Sequence, residues 1–166
     1  MAQDGQITPQ AERPHMPGYG ITPEVEGLLA WAWAEEQLVA ARNYWVASTR
    51  PDGRPHAAPV WGVWLDGALI FGVGDASQKA RNIAHNPALV VHLESGDDVV
   101  ILEGVVERVT DEALLAQMAE VYGAKYPPFT PDPSEPGSLY LQLRPQKALG
   151  WREADFPNSA TRWRFD

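Results

Sequence analysis

The chain contains no cysteine, so neither disulfides nor thiolate metal sites can support it. Its four histidines are poor metal candidates too, because His56, His85 and His92 lack ligand spacing such as two imidazoles four apart on a helix. Long apolar runs are missing: the stretches 68–73 and 99–102 fall far short of the roughly 18 residues that a membrane-spanning helix needs. No membrane span is expected. The opening MAQDGQITPQAERP has neither the basic start nor the apolar core of a secretory signal, and a cytoplasmic protein is the expectation. Positive charge is scarce, with 13 Lys and Arg against 22 Asp and Glu and a formal net charge of -9. That balance argues against non-specific nucleic-acid binding, which needs a net basic face to neutralise phosphates. No nucleophile elbow is present, and Ser48, Ser77 and Ser95 have no base or orienting acid beside them, which disfavours a hydrolytic triad.

What the chain has in quantity is tryptophan, seven in 166 residues, within a composition of 45% hydrophobic and 21% charged residues that can bury one globular core. Tryptophans fill cores, and they also concentrate on flat binding surfaces and dimer seams. Residues 1–22 hold three prolines and three glycines and read as a flexible arm, leaving 23–166 as a single domain. At Thr22-Pro23-Glu24 a hydroxyl, a proline and an acid follow one another as at a helix N-terminus. Leu28, Leu29, Ala32, Leu38, Val39 and Arg42 then keep rough helical spacing, which predicts one broken helix or two short ones as far as Asn43.

From Tyr44 the period changes to two. Residues 44–50 are rich in aromatic and β-branched side chains, Pro51-Asp52-Gly53 is a turn, and 55–65 resumes an extended run. Asp66-Gly67 is a two-residue hairpin signal leading into a strand over 68–73, so three antiparallel strands side by side are expected. Ser77 can cap a short helix that Pro87 must end. Strands over 88–94 and 99–109 follow, and Thr110-Asp111-Glu112 cap a helix carrying Leu114, Leu115, Met118, Val121 and Tyr122 at spacings of three and four. Five prolines within 127–137 make that stretch a surface loop, and 139–143 and 148–151 read as closing strands. Six or seven strands linked mostly by hairpins exclude a doubly wound parallel sheet and predict a mainly β fold, a small antiparallel barrel with short helices.

The most informative stretch is Ser77-Gln78-Lys79-Ala80-Arg81-Asn82. A helix N-terminus offers unpaired N–H groups and partial positive charge, and here the Ser77 hydroxyl, the Lys79 ammonium and the Arg81 guanidinium join it. Between Asp75 and Glu94 there is no acidic residue, while Lys79, Arg81, His85 and His92 all fall inside, a basic island in an acidic protein. The pattern suits a phosphate, and equally an ordinary capped surface helix with solvated cations. Upstream, Gly62 interrupts the bulky run Pro59-Val60-Trp61-Gly62-Val63-Trp64, either as a bulge in a packed barrel or because a planar ring approaches the backbone.

Taken in order, Tyr44-Trp45-Val46-Ala47-Ser48-Thr49, Asp52-Gly53-Arg54-Pro55-His56, Pro59-Val60-Trp61, Ser77-Gln78-Lys79-Ala80-Arg81-Asn82, Asn86-Pro87 and the strand with Gly104 resemble one known family. It is that of the split β-barrel flavin and deazaflavin oxidoreductases related to pyridoxamine 5'-phosphate oxidase. The closing Gly150-Trp151-Arg152-Glu153-Ala154-Asp155-Phe156-Pro157 and Ala160-Thr161-Arg162-Trp163-Arg164-Phe165 resemble its actinobacterial branch that uses a reduced deazaflavin. The resemblance implies a split barrel of the FMN-binding type, with six or seven antiparallel strands, and a homodimer with two equivalent cofactor sites at the subunit interface. On the matching positions, Ser77, Lys79, Arg81 and Asn82 would hold the cofactor phosphate, and Pro59, Val60, Trp61 and Gly62 would support the tricyclic ring. Trp163 and Arg164 would come from the second subunit. Pyridoxamine phosphate oxidases carry basic residues on the strand that here reads 59–65, and this strand has none, which favours the deazaflavin coenzyme F420 over FMN. The implied activity is hydride transfer from reduced F420 to a planar conjugated substrate such as a tetrapyrrole, a quinone or an enone. The alternatives are an FMN-dependent oxidase or reductase and a non-catalytic flavin or haem carrier.

Overall fold

Tyr44, Val46 and Ser48 are buried while Trp45, Ala47 and Thr49 are half-buried, the two-residue alternation of a strand with one face on a core. In the computed structural model, which describes residues 8–166, the elements run β1 (Gln10–Glu12), α1 (Trp31–Ala40), β2 (Tyr44–Thr49), β3 (Pro55–Val60), β4 (Gly62–Leu65), β5 (Ala68–Gly74) and α2 (Gln78–His85). There follow β6 (Ala88–His92), β7 (Asp98–Arg108), α3 (Glu112–Lys125), β8 (Ser138–Arg152), α4 (Phe156–Ser159) and β9 (Thr161–Arg164). Every pairing is antiparallel, in the order β1-β9-β8-β7-β6-β2-β3, with the β4–β5 hairpin joined through β5 to β8. Strand β8 is 15 residues long and serves both halves, pairing with β5 over 138–143 and with β9 over 147–150. The sheet curls without closing, which makes it the mainly β, antiparallel split barrel that the sequence predicts.

Nine strands form among the described residues instead of six or seven: one predicted run divides, two predicted strands merge, and β1 and β9 are added at the two ends. First, the run 55–65 divides at Trp61. Val60 pairs with Tyr44 of β2, whereas Gly62 pairs with Phe71 of β5, so the three strands expected side by side are two separate hairpins. Gly62 is pressed so closely on β5 that a Cβ would lie 2.9 Å from the Ile70 carbonyl oxygen. Second, 139–143 and 148–151 are one strand, because Pro145 sits where β7 shifts register between Glu103 and Gly104, and a bulge tolerates a residue without an N–H. Third, Gln10–Glu12 pair with β9, although they lie in the segment 1–22 expected to be a flexible arm. Arg13 fastens this segment by donating to the carbonyls of Glu24, Glu26, Asn158 and Ala160. The first seven residues of that segment lie outside the described residues.

The helix expected from Thr22 begins only at Trp31. Gly27 takes φ +86, a conformation that ends any helix, and a Cβ there would meet the Asn158 carbonyl oxygen at 2.8 Å. The core fills the curl of the sheet. Tyr44, Phe71, Leu102, Leu143 and Trp163 are at most 1% exposed, and Trp31 packs edge-on against Trp163 at 5.3 Å. No helix among the described residues is long and apolar enough to cross a membrane.

Candidate functional site

Helix α2 starts at the far end of β5. The Ser77 side-chain oxygen accepts the Ala80 N–H at 3.1 Å, a true N-cap, and the first-turn amides of Gln78 and Lys79 point out of the helix end. No acidic residue stands in that turn. Arg81 folds back over it, donating through Nη1 to the Ala76 carbonyl at 2.8 Å and through Nη2 to Gln78 Oε1 at 2.9 Å. Lys79 is half-exposed and forms no ion pair among the described residues. The first turns of α2 thus carry a hydroxyl, an ammonium and a guanidinium at an N-terminus without a carboxylate, a set that favours an anion.

Asn82 has a different task from the one the resemblance assigns. It is fully buried, donates through Nδ2 to Ser48 Oγ at 2.9 Å, and accepts from Gln78 Nε2 at 2.7 Å. Its amide is spent on anchoring α2 to β2 and has no free face for a phosphate. Ser48 stands opposite His56 of β3, so the bond ties α2 to β2 and, through the β2–β3 pairing, to β3. Strand β3 is the end of the sheet order, and among the described residues one side of its backbone has no strand partner. Of the four residues expected to support a ring, Pro59 is exposed and Trp61 half-buried, while Val60 and Gly62 face the interior. The close approach that requires Gly62 is therefore made by β5 of the same chain.

Trp61 lies flat on Tyr126, with ring centroids 4.6 Å apart and an interplanar angle of 1°, and the Arg42 guanidinium carbon is 5.1 Å from the Trp61 centroid. Behind this stack is a polar knot that sequence reasoning missed. The Tyr126 hydroxyl accepts the Gly62 N–H at 3.1 Å and bonds the Arg42 carbonyl at 2.8 Å. Lys125 Nζ donates to the Tyr44 hydroxyl at 2.7 Å and to the Gly62 carbonyl at 3.0 Å, and Tyr44 donates in turn to the Leu38 carbonyl at 2.6 Å. Burial lowers the Lys125 pKa to about 8 and, with the neighbouring Tyr126, raises that of Tyr44 well above the ordinary phenol range. The one sequence signal for the knot was the pair Lys125-Tyr126 placed between a helix and two prolines.

Trp163 is 0% exposed in its own chain, donates from Nε1 to the Leu29 carbonyl at 3.2 Å, and packs where a Cβ on Gly150 would be. It is a core residue, and its ring cannot reach a cofactor held by a second subunit. Arg164 is exposed, 4.0 Å from Glu12 Oε1, on a strand five places from β3 in the sheet order. It does not join the α2 cluster of its own chain. Also unanticipated is a cleft of about 1100 Å³ between α1, the β4–β5 turn and β8, which shares no residue with the α2 cluster. Among the described residues no three His, Asp or Glu side chains gather as a metal site.

Residues 32–152 match the pyridoxamine 5'-phosphate oxidase family. The chain belongs to that family. Among solved structures, a conserved hypothetical protein from Mycobacterium tuberculosis is 23% identical, with a TM-score of 0.68 over 78% of this chain and 88% of that one. An F420 reductase is 28% identical, with a TM-score of 0.54 over 68% of this chain and 94% of its own. A heme binding protein from Mycobacterium smegmatis shares the fold at 21% identity and a TM-score of 0.59, over 78% of this chain and 55% of that one. No curated protein matches the sequence. The structural neighbours thus include both an F420 reductase and a heme binding protein.

Proposed function

We propose that this family member is an oxidoreductase that holds reduced coenzyme F420 with its phosphate on the N-terminus of α2 and its ring along β3, and reduces a planar conjugated substrate. One observation carries this reading: in a chain of net charge -9, the first turn of α2 has no acid and gathers Ser77, Lys79 and Arg81 around outward amides. A local cationic site working against an acidic whole is what selective capture of an anionic tail needs. The likeness to an F420 reductase and the lack of cations over 59–65 support the deazaflavin over FMN.

When bound, a reduced deazaflavin would supply the hydride, and the protein's part would be binding and positioning. Lys79, Arg81 and the Ser77 hydroxyl bind the phosphate. Asn82, through Ser48 and Gln78, fixes the angle at which α2 presents them. Pro59, Trp61 and the unpaired backbone edge of β3 bear on the ring, and the Trp61–Tyr126 stack keeps water from that side. Catalysis by such residues is positioning and charge stabilisation. A homodimer completes this reading. On the outer sheet face Trp45, His92, Ile101 and Leu149 lie in register and half-exposed, with Ala47 and Val90 in the neighbouring row, a largely apolar strip suited to a second copy. Arg164 then contributes across the seam.

Titration of the purified protein with F420, FMN and haem, followed in the visible spectrum, tests the proposal. F420 is expected to bind, to a species of twice the 18.3 kDa chain mass by light scattering, and Lys79→Ala to weaken it about tenfold, as loss of a charge-assisted hydrogen bond does. Tight FMN or haem binding without F420 binding overturns the cofactor. Unchanged F420 affinity in Lys79→Ala overturns the role of α2.

A further inference from the structure

We propose that the cleft between α1, the β4–β5 turn and the middle of β8 binds a small planar organic cation, such as an N-alkylated heteroaromatic ring. Its volume, about 1100 Å³, exceeds the roughly 300 Å³ at which small-molecule sites begin. Three aromatic side chains wall it. Trp31 meets Trp64 at 6.1 Å and 62°, and Phe165 at 4.8 Å and 81°, so edge-to-face packing fixes all three rings. Val39 and Val105, 59% and 39% exposed, leave apolar surface open beside them.

The charges in the lining select the sign of the ligand. Glu35, Asp66, Glu107 and Asp166 face one guanidinium, that of Arg144, and Arg144 Nη1 is held by the Asp66 carbonyl at 2.8 Å. Asp66, Glu107 and Asp166 form no ion pair among the described residues. A cationic ring suits this lining: its face packs on indole and phenyl with cation–π attraction, and its positive edge meets the carboxylates.

The site is separate from the α2 cluster. Leu69 and Ile70, at the start of β5, pair with Leu143 and Gln142 at the cleft, while Gly74 at its other end leads to Ser77. At about 3.3 Å per residue the four to five strand residues between them set the two roughly 15 Å apart. The inference therefore stands without the cofactor reading.

Calorimetric titration of the full chain at pH 8 with N-methylquinolinium, neutral quinoline and naphthalene-2-sulfonate tests it, with tryptophan fluorescence as a second readout from Trp31 and Trp64. The cation is expected to bind about tenfold more tightly than quinoline, to weaken with salt, and the sulfonate not to bind. The double variant Asp66→Asn with Glu107→Gln should lower the cation affinity about tenfold and leave quinoline unchanged. Asn tolerates the positive φ of 50 at position 66, and Asp166→Asn, beyond β9, gives a second charge removal if the double variant does not fold. Lys79→Ala should leave cation binding intact. No binding by any probe, equal binding by all three, insensitivity to charge removal, or loss of binding in Lys79→Ala would each overturn the proposal.

Discussion

Lys125 is a half-buried ammonium whose hydrogen bonds go only to neutral oxygens, those of Tyr44 and Gly62. Its burial holds the pKa at about 8, against 10.5 in an unfolded chain. That gap corresponds to about 3 kcal/mol at full effect, and because the side chain is half-exposed, solvent screening reduces it to about 1–2 kcal/mol. Below pH 8 the folded protein bears the whole penalty of the buried charge. Between pH 8 and 10.5 the folded chain gives up this proton first, the unfolded state binds more protons, and stability rises with pH. Tyr44 opposes this above pH 10, since its raised pKa lets the unfolded phenol ionise first, so the clean window is pH 8 to 10. Lys125→Met keeps the length and apolar stem while removing the charge. Tyr44 still donates to the Leu38 carbonyl, while the Gly62 carbonyl is left to share the single Tyr126 hydroxyl hydrogen with the Arg42 carbonyl, a cost that does not vary between pH 7 and 10. In thermal unfolding from pH 7 to 10, the wild-type Tm should climb by about 3–6 °C relative to that of the variant. Parallel curves for the two proteins would refute the account of a half-buried charge held at a cost that its hydrogen bonds and the Tyr44 and Tyr126 rings do not fully offset.

Gly62→Ala places a methyl group 2.9 Å from the Ile70 carbonyl oxygen, a backbone atom that cannot move aside, and should destabilise the protein by about 1–3 kcal/mol in urea unfolding. Wild-type stability would mean that β4 and β5 are not in such contact. Asn82→Leu removes the buried link between α2, Ser48 and Gln78 and should lower stability by about 1–3 kcal/mol, with faster amide hydrogen exchange in α2; exchange unchanged in that helix would show that the anchor lies elsewhere.

The parts of the fold legible in the sequence are those that neighbouring residues determine. Ser77 caps its own helix, Pro87 follows its end, Asp66 and Gly67 turn their own hairpin, and Asp111 accepts the Leu114 N–H at 2.8 Å. The illegible parts depend on contacts distant along the chain. Nothing within 55–65 says that its first half will pair with β2 and its second with β5, and nothing near Gln10 announces β9. The candidate site divides along the same line. A basic helix start is visible as spacing, but whether Asn82 faces a ligand or Ser48 is settled by a strand 34 residues away.

This distinction bears directly on what a second subunit can offer. Trp163 and Arg164 are adjacent in sequence and were grouped by resemblance, yet on a strand adjacent residues face opposite sides. The inward one fills the core against Gly150 and Leu29, and only the outward one is available to a partner. Arg164 pairs in register with Gln10 of β1 and Lys147 of β8, and Glu12 lies 2.9 Å from Arg162 on the same strand. In the proposed homodimer the residue best placed to act on the partner's cofactor is thus held in position by the N-terminal segment. If that proposal holds, a chain shortened to remove β1 should bind F420 more weakly in a visible-spectrum titration while amide exchange in α2 stays unchanged, because α2 is anchored independently on β2.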